Sequence, residues 1–224
     1  MHSYKTDHPN QVHQLNFSIS QNYYLLKSGE IKYQAKKFDV NWKNYEKTGK
    51  SHLVNFLIRD HFSNCFYAEI HSISEIPDMK DFLYNAWCQK EYFEFCGIPK
   101  SLILGRHIIE TFPKLINFRN NTGLNIELAT NGFATGIRSV RDWEHNISYY
   151  THYKNYKMLK IFQENTEIIC KDLNLRESGK TEANLNKWLN NEPRGILMND
   201  KSEFDKFYGL TTYESKQAYQ VKLI

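Results

Sequence analysis

The chain has 224 residues, 41% hydrophobic and 15% aromatic, enough apolar surface for one sizeable core and too little length for two independent ones. Its formal charge of +4 allows a polyanionic partner without the concentrated basicity of a dedicated nucleic-acid module, so a solvated, mildly basic surface stands beside that reading. Cys65, Cys88, Cys96 and Cys170 form no C-x-x-C pair and no regular framework, which argues against zinc and disulfide scaffolds and for reduced thiols in a cytoplasm; no apolar run is long enough to span a membrane.

In chain order, residues 1–10 read as a polar tail with no apolar leader. His2, His8 and His13 match no familiar metal-ligand spacing and read as solvated histidines. The imperfect alternation of Val12, Leu15, Phe17 and Ile19 predicts a first strand ending near Ser20. Residues 22–48 read as a hairpin-like insertion outside the core. Two β-rich runs, 53–59 and 65–70, flank the turn residues Asp60 to Asn64 and predict an antiparallel hairpin.

Asp78 can cap a helix in which Met79, Phe82, Leu83, Ala86 and Trp87 recur at helical spacing, running to about residue 94. After the break at Gly97-Ile98-Pro99, residues 101–105 have the apolar character of a buried parallel strand. A helix over 108–118, a turn at Asn121 to Gly123 and a strand over 124–128 complete a βαβ unit. A long helical pattern then runs from about 137 to 170, and a short one from about 182 to 190. The expected organisation is a tail (1–10), one domain (11–175) and a helical C-terminal extension (176–224).

Several words in the sequence resemble those of a known family. Pro9-Asn10-Gln11-Val12-His13-Gln14-Leu15-Asn16 is similar to the P-N-x-V-x-Q-x-D opening of integrase-core transposases. Asp60-His61-Phe62-Ser63 resembles their D-x-x-S hairpin, residues 82–90 the helix after it, and Gly97-Ile98-Pro99 a G-x-P lead-in to the fourth strand. Residues 132–141 resemble the segment that ends in the family's V-E, here Val140-Arg141. The likeness covers residues 9 to about 150 and extends weakly to Asn191. It implies an α/β, ribonuclease H-like fold with a five-stranded mixed sheet flanked by helices, in a degenerate member of the integrase catalytic core, or DDE transposase, family. No upstream helical DNA-binding domain and no long tail after the core are read in these 224 residues, although complete transposases have both.

The resemblance also implies where the family's three carboxylates would stand. The first falls on Asn16, the second on Gly105 and the third on Arg141, and the 35 positions from 106 to 140 match the family's interval. Such enzymes join or cut DNA by in-line displacement at phosphorus with two Mg²⁺ held chiefly by carboxylates. Here Asn16 offers an amide oxygen, Gly105 no side chain and Arg141 a cation. A guanidinium about 4 Å from a dication, at an effective dielectric near 20, costs roughly 8 kcal/mol. The expectation is therefore no catalytic residue and no cofactor.

Two escapes remain open. Glu144, one helical turn beyond Arg141, could replace the missing Glu, and residues 38–42 could be the true first strand with Asp39 as its ligand. Mg²⁺ enters only if that acidic site operates, as a polynucleotidyl transferase. Asp60 and Asp142 read as a turn residue and a solvated helix residue. His61 or His107 with Cys65 or Cys96 is an imaginable nucleophile pair, against buried structural thiols.

Without ligands, the implied role is binding. DNA could meet Lys154, Lys157 and Lys160, interleaved with Tyr149, Tyr150, Tyr153 and Tyr156 near the long helix; the alternative is an amphipathic helix whose tyrosines pack on the sheet. Other expected partners are a second copy, forming a homodimer, or a transposition or mobile-element protein such as an active transposase that the chain regulates. A decayed mobile-element fragment is the third reading.

Overall fold

A computed structural model describes residues 5–129, 135–177, 181–192 and 195–209. β1 (Val12–Leu25) pairs antiparallel with the short β2 (Ile31–Tyr33) and with β3 (Ser51–Asp60), and β3 pairs antiparallel with β4 (Phe66–Ser72). After α1 (Met79–Trp87), β5 (Ser101–Leu104) runs parallel to β1, and β6 (Asn125–Leu128) parallel to β5. The order β4-β3-β1-β5-β6, three antiparallel strands followed by two parallel crossover strands, is that of the ribonuclease H-like fold. The sheet has six strands rather than five, because β1 continues past a bulge after Ile19 and pairs with β2. The insertion over 22–48 is thus a hairpin, as its sequence suggests, but Tyr23, Ile31 and Val40 make it part of the buried interior.

β1 is central, so both of its faces are covered. Leu15 and Phe17 point to one face, where Phe17 packs on Trp42 (4.4 Å between ring centroids), Phe56 (4.8 Å) and Phe112 (5.1 Å). Gln14, Asn16 and Ser18 point to the other, since successive side chains alternate. That face is covered by α4 (Thr135–His152), whose buried Trp143 meets Phe66 of β4 and Phe162 of α5 (Leu159–Glu164) edge-on.

Three helices differ from their sequence patterns. α1 ends at Trp87, not near 94, because the buried ammonium of Lys90 donates to the carbonyls of Ala86, Cys88 and Phe95 and closes the C-terminus. The helix expected over 108–118 is two, α2 (Arg106–Thr111) and α3 (Leu115–Thr122), divided at Pro113. The long pattern over 137–170 is three, α4, α5 and α6 (Thr166–Leu175), with a loop in which Asn155 takes a left-handed conformation (φ 61°) and the Lys157 carbonyl accepts from Ile31 N–H. Beyond residue 175, α7 (Asn184–Leu189) and α8 (Lys201–Gly209) supply Leu185, Trp188, Phe204 and Tyr208 to the same hydrophobic core.

Candidate functional site

The register of β1 against β5 fixes the first two positions of interest. Leu15 pairs with Leu104, so Asn16 and Gly105 are the next step along two adjacent parallel strands, whose spacing is about 4.8 Å. Asn16 is half-buried, and on its other side it pairs with Leu57 of β3. Gly105 follows β5 and directly precedes α2, in extended backbone (φ −74°, ψ 148°). Where β5 stops, the Phe17 carbonyl has no strand partner on that side, and His107 Nε2–H donates to it at 3.0 Å. This brings the imidazole across Gly105. A Cβ at Gly105 would stand 2.8 Å from the His107 ring, so a carboxylate there requires His107 to leave its place.

α4 crosses the same face. Ser139 lies 3.5 Å from Arg59 Nη1, and Arg59 is opposite Gln14; farther along, Glu144 accepts from Asn55 Nδ2 at 2.9 Å, and Asn55 is opposite Ser18. The Asn16–Leu57 row lies between these two contacts. Arg141 and Asp142 are exposed on the helix, so solvent screening shrinks the repulsion that a guanidinium would exert on a nearby dication. The case against a two-metal centre therefore rests on the donor set: one amide, one glycine, and one carboxylate already engaged by Asn55. Among the described residues no group of three or more His, Cys, Asp or Glu side chains is placed to hold a metal ion. These residues do not fit the metal pair of the resembled family.

Asp39 is corrected. Residues 38–42 are a loop, not a strand; Asp39 is exposed, its carbonyl accepts from Asn44 Nδ2 at 3.1 Å, and β1 lies where the Val12 alternation put it. The lysines do not share one long helix either. Lys154 and Lys157 lie in the loop after α4 and Lys160 on α5, all exposed. Tyr150 is buried, whereas Tyr153 is 81% exposed, so the tyrosines divide between packing and solvent. The imagined nucleophile pairs gain no support: burial pushes the Cys65 thiol well up and raises that of Cys96, His61 meets Thr6, and His107 meets the Phe17 carbonyl.

The family-like words carry a structural network that their sequence does not disclose. Asn10, left-handed at φ 58° and fully buried, donates its N–H to Asp60 Oδ1 (2.9 Å) and its Nδ2 to the Cys96 carbonyl (3.0 Å). That amide orientation leaves Asn10 Oδ1 to accept from His13 Nε2 at 2.8 Å, while Trp87 Nε1–H donates to His13 Nδ1 at 3.2 Å. Asp60 Oδ2 accepts from both the N–H and the hydroxyl of Ser63 at 2.7 Å, closing the β3–β4 turn. Gly97, at φ 94°, passes so close that a Cβ would fall 2.9 Å from Asn10 Nδ2. The P-N opening, the D-x-x-S turn and the G-x-P lead-in thus converge on one residue, Asn10.

His13, far from being a solvated tail histidine, is buried at 0% exposure, and burial pushes its pKa down to about 3. The 3.7 Å approach of His13 Nε2 to Asp60 Oδ1 is therefore a contact of a neutral ring, not an ion pair.

Sequence reading passed over two concave surfaces. One, about 420 Å³, opens between β4, α1 and the α5–α6 corner; its buried Glu69 accepts from Tyr67 OH (2.8 Å), Asn85 Nδ2 (3.0 Å) and His71 Nε2 (2.7 Å), a network closed on itself. The other, between α4 and α6, holds three arginines. No motif flags it; the sequence signal is Arg59 at the end of a mostly apolar strand run.

By sequence, no family model matches the chain and no curated protein matches it. By structure it is similar to the integrase catalytic core domain of HTLV-2, solved with magnesium in a dimeric form (TM-score 0.44, 10% identity, 80% of this chain and 96% of that one). It is also similar to a chain of the simian T-cell lymphotropic virus intasome in complex with PP2A regulatory subunit B56 gamma (TM-score 0.44, 8% identity, 87% of this chain); there it spans 60% of the other chain's length. Among the described residues no helix is long and apolar enough to cross a membrane.

Proposed function

We propose that this chain is an integrase-core-like protein that binds DNA without cutting or joining it, as an accessory to transposition. The carrying observation is the β1–β5 register, which sets Asn16 beside Gly105 with the His107 ring over the glycine, where in-line phosphoryl chemistry would need two carboxylates. Glu144, held by Asn55, supports the same reading. DNA contact falls to Lys154, Lys157 and Lys160, and the exposed Tyr153 is available to stack on an unpaired base.

If three lysines neutralise three phosphates, log affinity for duplex DNA falls against log salt with a slope of about −2.7. Fluorescence anisotropy across a salt series, with wild type and the Lys154→Ala/Lys157→Ala/Lys160→Ala variant side by side, measures this. Most of the slope should vanish in the variant; no binding by wild type at low salt, or equal binding by both, removes these lysines from the account.

A protein partner is the second reading, favoured by Ile161, Ile168 and Leu175, which are spaced by seven residues and exposed at 40%, 46% and 43% on α5 and α6. Light scattering over a concentration series separates a self-associating chain from a monomer that needs another protein.

A further inference from the structure

The groove between α4, α6 and the β3–β4 turn encloses about 780 Å³, the size of a pocket that takes a nucleotide-sized molecule. Its charged lining is unusual in what it brings together. Arg59 comes from β3, on the face that α4 covers, and is only 8% exposed. Its Nη1 lies 3.5 Å from Ser139 Oγ. The next residue back along α4 is Arg138, exposed and without an ion pair among the described residues. Burial holds the Arg59 pKa below its ordinary value; neighbouring Asp60 opposes that shift, and the like charge of Arg138 adds to it more weakly. Asp60 itself is committed to Ser63 and to Asn10 N–H.

The third guanidinium is held in place from the other wall. Arg176 donates to Asn146 Oδ1 (2.6 Å), Tyr150 OH (3.1 Å) and Asp172 Oδ2 (3.1 Å), so its planar fork is positioned before any ligand arrives. Two acids also border the groove, Asp142 and Glu182, both exposed; Glu182 accepts from Asn190. Set against them, three guanidiniums, one of them largely buried, converge on one groove, where an anion would meet donors from β3, from α4 and from the end of α6. The side chains of Phe66 and Leu173 give the same groove an apolar wall.

We propose that this groove is a phosphate-binding site, with Arg59 at its floor and Arg138 and Arg176 on its sides, taking the phosphate of a nucleotide or of a nucleic-acid backbone. The site is separate from the lysine loop, so it stands or falls independently of the DNA reading given above. Bidentate geometry suits guanidinium to phosphate, and the buried member supplies the charge that water screens least.

The test is isothermal titration of the folded full-length chain with inorganic pyrophosphate and with AMP, alongside anisotropy with a single-stranded oligonucleotide. Wild type should bind pyrophosphate saturably. Arg138→Ala, at an exposed position, should weaken that binding at least tenfold with unchanged circular dichroism. Arg59→Lys, which keeps the charge but loses the fork, should do the same. If AMP binding weakens with pyrophosphate while oligonucleotide binding is unchanged, the source is a free nucleotide; if the oligonucleotide weakens in parallel, it is a nucleic-acid backbone. No saturable binding of pyrophosphate or AMP by wild type at millimolar concentration, or binding that neither variant alters, overturns the proposal.

Discussion

Replacing Asn10 by Ala is expected to cost about 3–5 kcal/mol of folding stability, a large share of the roughly 5–15 kcal/mol that holds a domain together. The substitution removes both side-chain bonds, leaving the buried His13 N–H and the Cys96 carbonyl without partners, at about 1–3 kcal/mol for each unsatisfied group. It also places alanine at φ 58°, where the left-handed conformation adds about 1 kcal/mol. Urea denaturation measures the loss. Asn10→Gly separates the two causes, because glycine restores the backbone and not the hydrogen bonds, so it should recover only about 1 kcal/mol. A midpoint unchanged in Asn10→Ala would mean that Asn10 does not tie β1, the β3–β4 turn and the lead-in to β5 together.

Acidification from pH 6.5 toward pH 3 is expected to destabilise the fold through His13. Its folded-state pKa is depressed to about 3, against 6.5 unfolded. Above pH 6.5 both states are neutral and the stabilisation is fully present. As the pH falls below 6.5 the unfolded chain takes up a proton that the folded ring refuses, so stability falls by about 1.4 kcal/mol per pH unit, roughly 4–5 kcal/mol over the whole interval. Burial depresses His52 and His61 as well, adding to the slope in the same direction. Burial raises the pKa of Asp60, which opposes the slope at its acid end because the folded state then takes up a proton first. His13→Gln keeps a donor and an acceptor in the pocket and should remove one proton's worth of the slope between pH 6.5 and pH 5. Denaturation midpoints that stay level over that interval in wild type, or an equal slope in the variant, would contradict a neutral buried His13.

The sheet was legible because its strands declare themselves locally. The alternation of Val12, Leu15, Phe17 and Ile19, the turn chemistry of Asp60 to Asn64 and the short apolar run at 101–104 each match the element they form. Helix ends were not legible, because their causes lie far off in sequence or look like continuation. The α4–α6 run reads as one helix because Ile147, Tyr150, Leu159 and Phe162 all face one core; the break comes from Asn155 and from the hydrogen bond between Ile31 and Lys157. Within the helical extension, α8 also carries a local signal of its own. The Asp200 side chain accepts from Ser202 and Glu203 N–H at its start, and Phe204 and Tyr208 follow at i,i+4 spacing.

At the candidate site, the adjacency of Asn16 and Gly105 follows from the register of the two strands the sequence patterns declare. Three other features could not be read there. His107 lies over Gly105 because β5 stops two residues short of a partner for Phe17, Glu144 is tied to Asn55 across 89 residues, and Arg59 and Arg176 meet one groove from β3 and from the C-terminal end of α6. All three depend on long-range contacts that periodicity does not encode.

The most direct test of the central claim, an integrase-core frame that does no phosphoryl chemistry, is a nicking and strand-transfer assay with Mg²⁺ and with Mn²⁺ on supercoiled plasmid and on labelled oligonucleotides. Wild type should give no product above the metal-free control at any protein concentration. Metal-dependent product that disappears in Glu144→Gln or in Asp39→Asn would contradict the claim, because it would show that an acidic site operates in place of Asn16, Gly105 and Arg141.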